Sequence, residues 1–193
     1  MILKSFIVEK NMSIIDQYFV TLFYGENIGF KDEIKQKIKE KYKNYERVNF
    51  NQDEIIKNEE LLEEQIYNIS LFKKNKVIFI NEVSDKVKKI ILEINEKPQD
   101  NIKIFLFSQN LEKKSILRSY LEKSKNTAVI PCYQDNHRTL SEYFRRSLDG
   151  YSGINQETIN LLIENSGFDR KVLSNEIDKI KSLFLDKKIK VEK

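Results

Sequence analysis

The sequence predicts an α/β fold in which a parallel five-stranded sheet is flanked by helices and followed by a small three-helix unit. Three observations carry that prediction. Phe19–Tyr24, Val77–Ile80 and Ile102–Phe107 are short runs of β-branched, aromatic and aliphatic residues that stay apolar instead of alternating, the pattern of strands covered on both faces. The stretches between them repeat apolar residues at helical spacing, so strand and helix alternate as in βαβ units. After Ile130 the strand pattern stops and three amphipathic helical segments follow.

In chain order, Phe19–Tyr24 reads as the first strand, ended by Gly25. Ile34, Ile38 and Tyr42 stand at i, i+4 and i+8 of a helix between Lys31 and Tyr42. Arg47–Phe50 is a short strand. Asn51 and Glu54 resemble a capping box, opening a helix whose apolar stripe is Ile55, Leu62, Ile66 and Ile69. Val77–Ile80 is the third strand. Ser84 or Asp85 caps a helix carrying Val87, Ile90, Ile91 and Ile94, which Pro98 ends. Ile102–Phe107 is the fourth strand, Ser115–Lys123 a short helix with Ile116, Leu117 and Leu121 apolar, and Ala128–Ile130 the last strand, closed by Pro131. Asp135 is placed to cap a helix with Leu140, Tyr143, Phe144 and Leu148. A turn at Gly150–Gly153 leads to a helix with Ile159, Leu162 and Ile163, and Asp169 opens one with Leu173, Ile177, Ile180 and Phe184 on one face. The expected division is an α/β domain over 1–134 and a helical domain over 135–193.

Composition narrows the function classes. The chain has 193 residues, 40% hydrophobic and 33% charged, as in a globular protein rich in surface helices. No apolar run reaches the ~20 residues of a membrane span, and the start of the chain lacks a signal-peptide pattern. Cys132 is the only cysteine and His137 the only histidine, which excludes a disulfide framework and any Cys- or His-cluster metal centre. A cytoplasmic setting is expected. The formal net charge of +4 permits weak contact with nucleic acid without identifying a binder of it.

A parallel sheet whose first strand ends in glycine invites a search for a phosphate loop, G-x-x-x-x-G-K-[ST], where lysine neutralises phosphate and the hydroxyl binds magnesium. Here the segment is Gly25-Glu26-Asn27-Ile28-Gly29-Phe30-Lys31-Asp32. The second glycine comes early, Lys31 is displaced, and Asp32 brings a repulsive carboxylate near the hydroxyl's place. After the third strand stands Asn81-Glu82 instead of the Asp-Glu pair that metal-dependent hydrolysis needs. The loop keeps the shape of a nucleotide fold without its chemistry, so no cofactor, metal or catalytic set is expected. His137 reads as a helix-start capping or surface residue and Cys132 as a small buried hydrophobe. The lysines of 31–43 read as a solvated helix face that could graze a phosphate backbone.

One further stretch stands out. Ser70-Leu71-Phe72 ends an amphipathic helix and is followed at once by Lys73, Lys74 and Lys76. A large apolar pair at a helix end beside a basic turn either tucks under the sheet or is presented at the surface.

Several segments resemble the delta subunit of the bacterial DNA polymerase III clamp loader, a protein of P-loop-NTPase-like, AAA+ fold. They are Leu22–Glu33 (LFYGENIGFKDE), Ser70–Glu82 (SLFKKNKVIFINE), Ile130–Leu140 (IPCYQDNHRTL), and Phe168-Asp169-Arg170 with Asn175–Lys179. The resemblance runs in order along nearly the whole chain. It implies a subunit without intrinsic ATPase or polymerase activity that binds the ring-shaped sliding clamp, the beta subunit, and opens one interface during DNA replication. It implies that Leu71 and Phe72, with Ser70 beside them, insert into a hydrophobic clamp pocket. It implies gamma/tau and delta prime loader subunits as partners, with DNA contacted weakly or indirectly. The family carries a third, helical collar domain after the lid, whereas this sequence ends at Lys193, so loader assembly is expected to be weakened. The alternative reading is a P-loop ATPase with a divergent loop, resting on Lys31 and Glu82. A generic DNA-binding protein rests only on scattered lysines.

Overall fold

The computed structural model describes residues 1–67 and 75–189. Its sheet has five parallel strands, β1 (Val20–Tyr24), β2 (Glu46–Asn51), β3 (Lys76–Asn81), β4 (Ile102–Ser108) and β5 (Thr127–Pro131), in the order β2-β3-β4-β1-β5. The register pairs Val20 with Ile104 and Thr127, and Ile78 with Val48 and Ile104. The connecting helices are α1 (Ser5–Lys10) before the sheet, α2 (Ile28–Lys41), α3 (Gln52–Lys57), α4 (Glu60–Tyr67), α5 (Lys88–Glu96) and α6 (Ile116–Lys123). After β5 come α7 (His137–Ser147), α8 (Gln156–Asn165) and α9 (Arg170–Leu183).

Because side chains alternate along a strand, the apolar runs build two different layers. One face is aliphatic: Val20, Leu22, Ile78, Ile80, Ile104, Leu106 and Val129 pack with Ile55, Leu62 and Ile66 of α3 and α4, Ile90, Ile91 and Ile94 of α5, and Leu117 and Leu121 of α6. The other face is aromatic. Phe23 stacks on Phe107 with ring centres 5.2 Å apart, Phe79 lies 5.9 Å from Phe105, and Tyr42 at the end of α2 also lies 5.9 Å from Phe105. Ile34 and Ile38 of α2 are fully buried.

Two local readings change. The helix expected after Asn51 is two helices. Asn58 is extended and its side chain accepts from the Glu60 N–H at 3.2 Å, restarting the chain as α4. Asp135 does not cap α7. Asn136 does, its Oδ1 accepting from the Thr139 N–H at 3.0 Å while Thr139 Oγ1 accepts from the Asn136 N–H at 2.9 Å. Elsewhere Ser84 caps the short turn Asp85–Val87, and Asp85 turns to α6, accepting from Ser115 Oγ at 2.7 Å and the Leu117 N–H at 2.9 Å.

The chain divides into two compact units, Met1–Glu26 with Lys31–Cys132, and Asn27–Phe30 with Tyr133–Lys193. The core of the second is Leu140, Tyr143, Phe144 and Leu148 of α7 against Ile159 and Ile163 of α8 and Leu173 and Ile177 of α9. That the first turn of α2 groups with this unit is a placement no local pattern predicts.

Candidate functional site

In open parallel sheets, ligands bind beyond the carboxyl ends of the strands, and the first unit is built densely there. Gly25 follows β1 with φ +132, and a Cβ added to it would lie 2.3 Å from the carbonyl oxygen of Cys132. The Cys132 N–H donates to Tyr24 O at 2.6 Å and the Gly25 N–H to Gln109 O at 2.8 Å. Gly25 is therefore required by the approach of the chain after β5.

Lys31 is buried, 9% exposed, and its ammonium donates to Gly25 O at 2.7 Å and Ser108 O at 2.8 Å. The cation that a phosphate loop would offer to a ligand is committed to two backbone carbonyls at the ends of β1 and β4. Burial pushes its pKa below the ordinary lysine value, with Cys132 and Asp32 acting in the opposite sense. One turn further, Lys35 donates to Asn81 Oδ1 at 2.5 Å and lies 4.5 Å over the Phe107 ring, while Asn81 Nδ2 donates to Phe50 O at 3.2 Å. Asn81, standing where hydrolysis needs a carboxylate, thus bridges α2 and β2. Glu82 is exposed and in the left-handed region, φ 57. Cys132 is buried, and His137 is exposed with its ring edge-on to Phe168 at 6.4 Å. Among the described residues no group of three or more His, Cys, Asp or Glu could hold a metal ion.

These contacts make Lys31 a structural cation. Lys31→Ala is expected to cost about 2–3 kcal/mol, since it strips a charged donor from two carbonyls. Titrating either protein with ATP and magnesium in a calorimeter is expected to give no saturable heat. A micromolar dissociation constant in the natural chain that Lys31→Ala abolishes would make Lys31 a ligand-binding group.

The second unit holds a constellation that the sequence reading missed. Gly29 would, with a Cβ, meet the Lys171 nitrogen at 2.8 Å and Arg170 Cβ at 3.1 Å, so its lack of a side chain lets the first turn of α2 abut the first turn of α9. Asn27 caps α2, its Oδ1 accepting from the Phe30 N–H at 2.9 Å. Its Nδ2 donates to Asp135 Oδ2 at 2.7 Å and Tyr133 O at 3.1 Å. Arg170 Nη1 lies 3.4 Å from Asp135 Oδ2, with both side chains almost wholly buried. No local signal marks these partners, because each lies far away in sequence.

Ser70, Leu71 and Phe72 lie outside the described residues, between α4 and β3. Both flanks are anchored. Leu62 and Ile66 of α4 are buried, and Lys76 Nζ donates to both Gln65 O and Gln65 Oε1 at 3.1 Å. Leu61 and Tyr67 are exposed on the same helix.

The strand order, the strand–turn–helix in phosphate-loop position and the helices after β5 define a P-loop-NTPase-like, AAA+-type α/β fold, here with its loop lysine bound internally. The chain is similar in structure to the Bacillus subtilis DNA clamp loader delta protein YqeN, with a TM-score of 0.67 at 14% identity, over 96% of this chain and 59% of that one. It also matches domain III of the Thermotoga maritima replication initiation protein DnaA, with a TM-score of 0.47 at 14% identity, over 96% of this chain and 84% of that one. No protein-family model and no curated protein sequence matches the chain. The likeness to clamp-loader delta subunits read from sequence segments is thus met at the level of fold, and the chain spans 59% of that delta protein's length. No helix among the described residues is long and apolar enough to cross a membrane.

Proposed function

We propose that this chain acts as a clamp-loader delta subunit. It binds the ring-shaped sliding clamp through Leu71 and Phe72, with Ser70 beside them, and opens one ring interface during loading onto primed DNA. Its other partners in this reading are the gamma/tau and delta prime subunits, its contact with DNA is weak or indirect, and it works in the cytoplasm without a cofactor.

The observation that carries the reading is the likeness to the YqeN fold across 96% of the chain. The internal bonds of Lys31 support its nucleotide-independent side and oppose the divergent-ATPase alternative, because a phosphate would have to displace Lys31 from Gly25 O and Ser108 O. The basic residues that follow Leu71 and Phe72 suit an apolar plug with a polar rim, the arrangement of an interface hot spot.

Clamp opening is tested by closing the cognate clamp on nicked circular DNA and following its release. Addition of this chain, with no nucleotide present, is expected to accelerate release. Unchanged release, or acceleration that strictly requires ATP, would favour another function.

A further inference from the structure

We propose that Asp135 is a built-in anion: its carboxylate fills an oxyanion seat made by the Asn27 amide at the start of α2 and the Arg170 guanidinium at the start of α9, in place of an external carboxylate or phosphate. The seat lies within the second unit and does not depend on the clamp-binding reading.

Helix N-termini carry unsatisfied N–H groups and a partial positive charge, which favours an anion nearby. The close approach of Gly29 to Lys171 brings two such ends together, those of α2 and α9. Asn27 uses its side-chain oxygen to cap α2 and turns its amide donor, at 2.7 Å, onto Asp135 Oδ2. Arg170 opens α9. Its guanidinium carbon lies 4.0 Å from the Tyr143 ring centre and 5.1 Å from the Phe30 ring centre, so two aromatic rings hold it beside Asp135. Side-chain exposure is 5% for Arg170 and 8% for Asp135, so this cation and its counter-charge are both removed from water.

A buried guanidinium left without an anion is strongly disfavoured. Arg170 Nη1 stands 3.4 and 3.5 Å from the two Asp135 oxygens, longer than the roughly 2.7–2.9 Å of a tight charge-assisted bond. The carboxylate is seated by the Asn27 amide at 2.7 Å, with Arg170 supplying charge, while the N–H groups of the two helix starts are capped by Asn27 and Asp169. Such a place would accept a small free oxyanion, but a tethered carboxylate competes at high effective concentration and keeps it filled. Segments 27–30, 133–135 and 169–171 are then joined whatever the phosphate or nucleotide level around the protein.

The test is chemical rescue, read by thermal melting at constant ionic strength in sodium chloride, formate or phosphate. Asp135→Ala is expected to melt several degrees below the natural chain in chloride, and formate or phosphate is expected to recover a saturable part of that loss. The natural chain and the Asp135→Ala, Arg170→Met double variant should show only the salt effect they share. If Asp135→Ala does not fold in chloride, Asp135→Ser, which leaves space and keeps an acceptor for Asn27, is titrated in its place with the same expectation. An unchanged melt in the single variant overturns the proposal. So does a response to formate and phosphate that is parallel in all the proteins, or a gain that survives Arg170→Met.

Discussion

Gly25→Ala is expected to destabilise the protein by about 4 kcal/mol, lowering the melting temperature by roughly 8–16 °C for a chain of this size. Two costs combine. At φ +132 an L side chain is strained, and such glycine-only backbone costs about 1–3 kcal/mol. The new methyl would also sit 2.3 Å from Cys132 O and 2.7 Å from Cys132 C. Those are backbone atoms, next to a Cys132 N–H that is bonded to Tyr24 O, so they cannot turn away as a side-chain tip would, and overpacking adds about 1–3 kcal/mol. Gly150→Ala is the control. It has φ +80 with nothing within 4 Å of the added Cβ, so only the backbone cost of about 1–2 kcal/mol is expected. If Gly25 were instead a phosphate-cradling glycine with space above it, alanine would change ATP binding and leave the melt close to that of the control.

The second large effect concerns ligand affinity. Truncating Leu71 and Phe72 together to alanine is expected to weaken clamp binding by about 3–5 kcal/mol, since each large apolar side chain buried in a pocket is worth roughly 1.5–3 kcal/mol. That corresponds to a loss on the order of a hundred- to a thousandfold. The melt should hardly move, because a pair presented to a partner contributes little to its own core. The opposite placement predicts the opposite result. If the pair packs under the sheet, double truncation costs about 4 kcal/mol or more of stability and lowers the melt sharply. The anchoring of Lys76 to Gln65 lies next to the substituted segment and outside it, so the flanking α4 and β3 are expected to keep their places.

The sheet was legible because its signal is local. Runs such as Val77–Ile80 carry apolar residues on both faces, and the aliphatic and aromatic layers follow from two-residue alternation once the strands are known. Helix starts were legible where one candidate cap stands alone, as Asp169 does, accepting from the Lys171 and Val172 N–H groups. They were ambiguous where two polar residues adjoin. Asp135 and Asn136 are equally suited to a cap, and the choice was made by Asn27 and Arg170, which claim Asp135 from distant points of the chain. Asn58 carried a restart signal that the long apolar stripe concealed. The glycines were the least legible. Spacing suggested a phosphate loop for Gly25 and Gly29, while the actual demands come from Cys132 and from Arg170 and Lys171, contacts that no periodicity encodes. The spacing shows Lys31 displaced from its place in the phosphate-loop pattern, but its bonds to Gly25 O and Ser108 O require the β1–β4 pairing to be known first.

In the proposed function the protein binds the clamp without nucleotide and engages it through Leu71 and Phe72. The most direct measurement is a calorimetric titration of the cognate sliding clamp with the natural chain and with the Leu71→Ala, Phe72→Ala variant, in nucleotide-free buffer, alongside a thermal melt of both. Saturable binding by the natural chain, a loss on the order of a hundredfold or more in the variant, and coincident melts are expected. Absence of binding by the natural chain, equal affinity in both proteins, or a collapsed melt in the variant would rule out the proposed clamp contact.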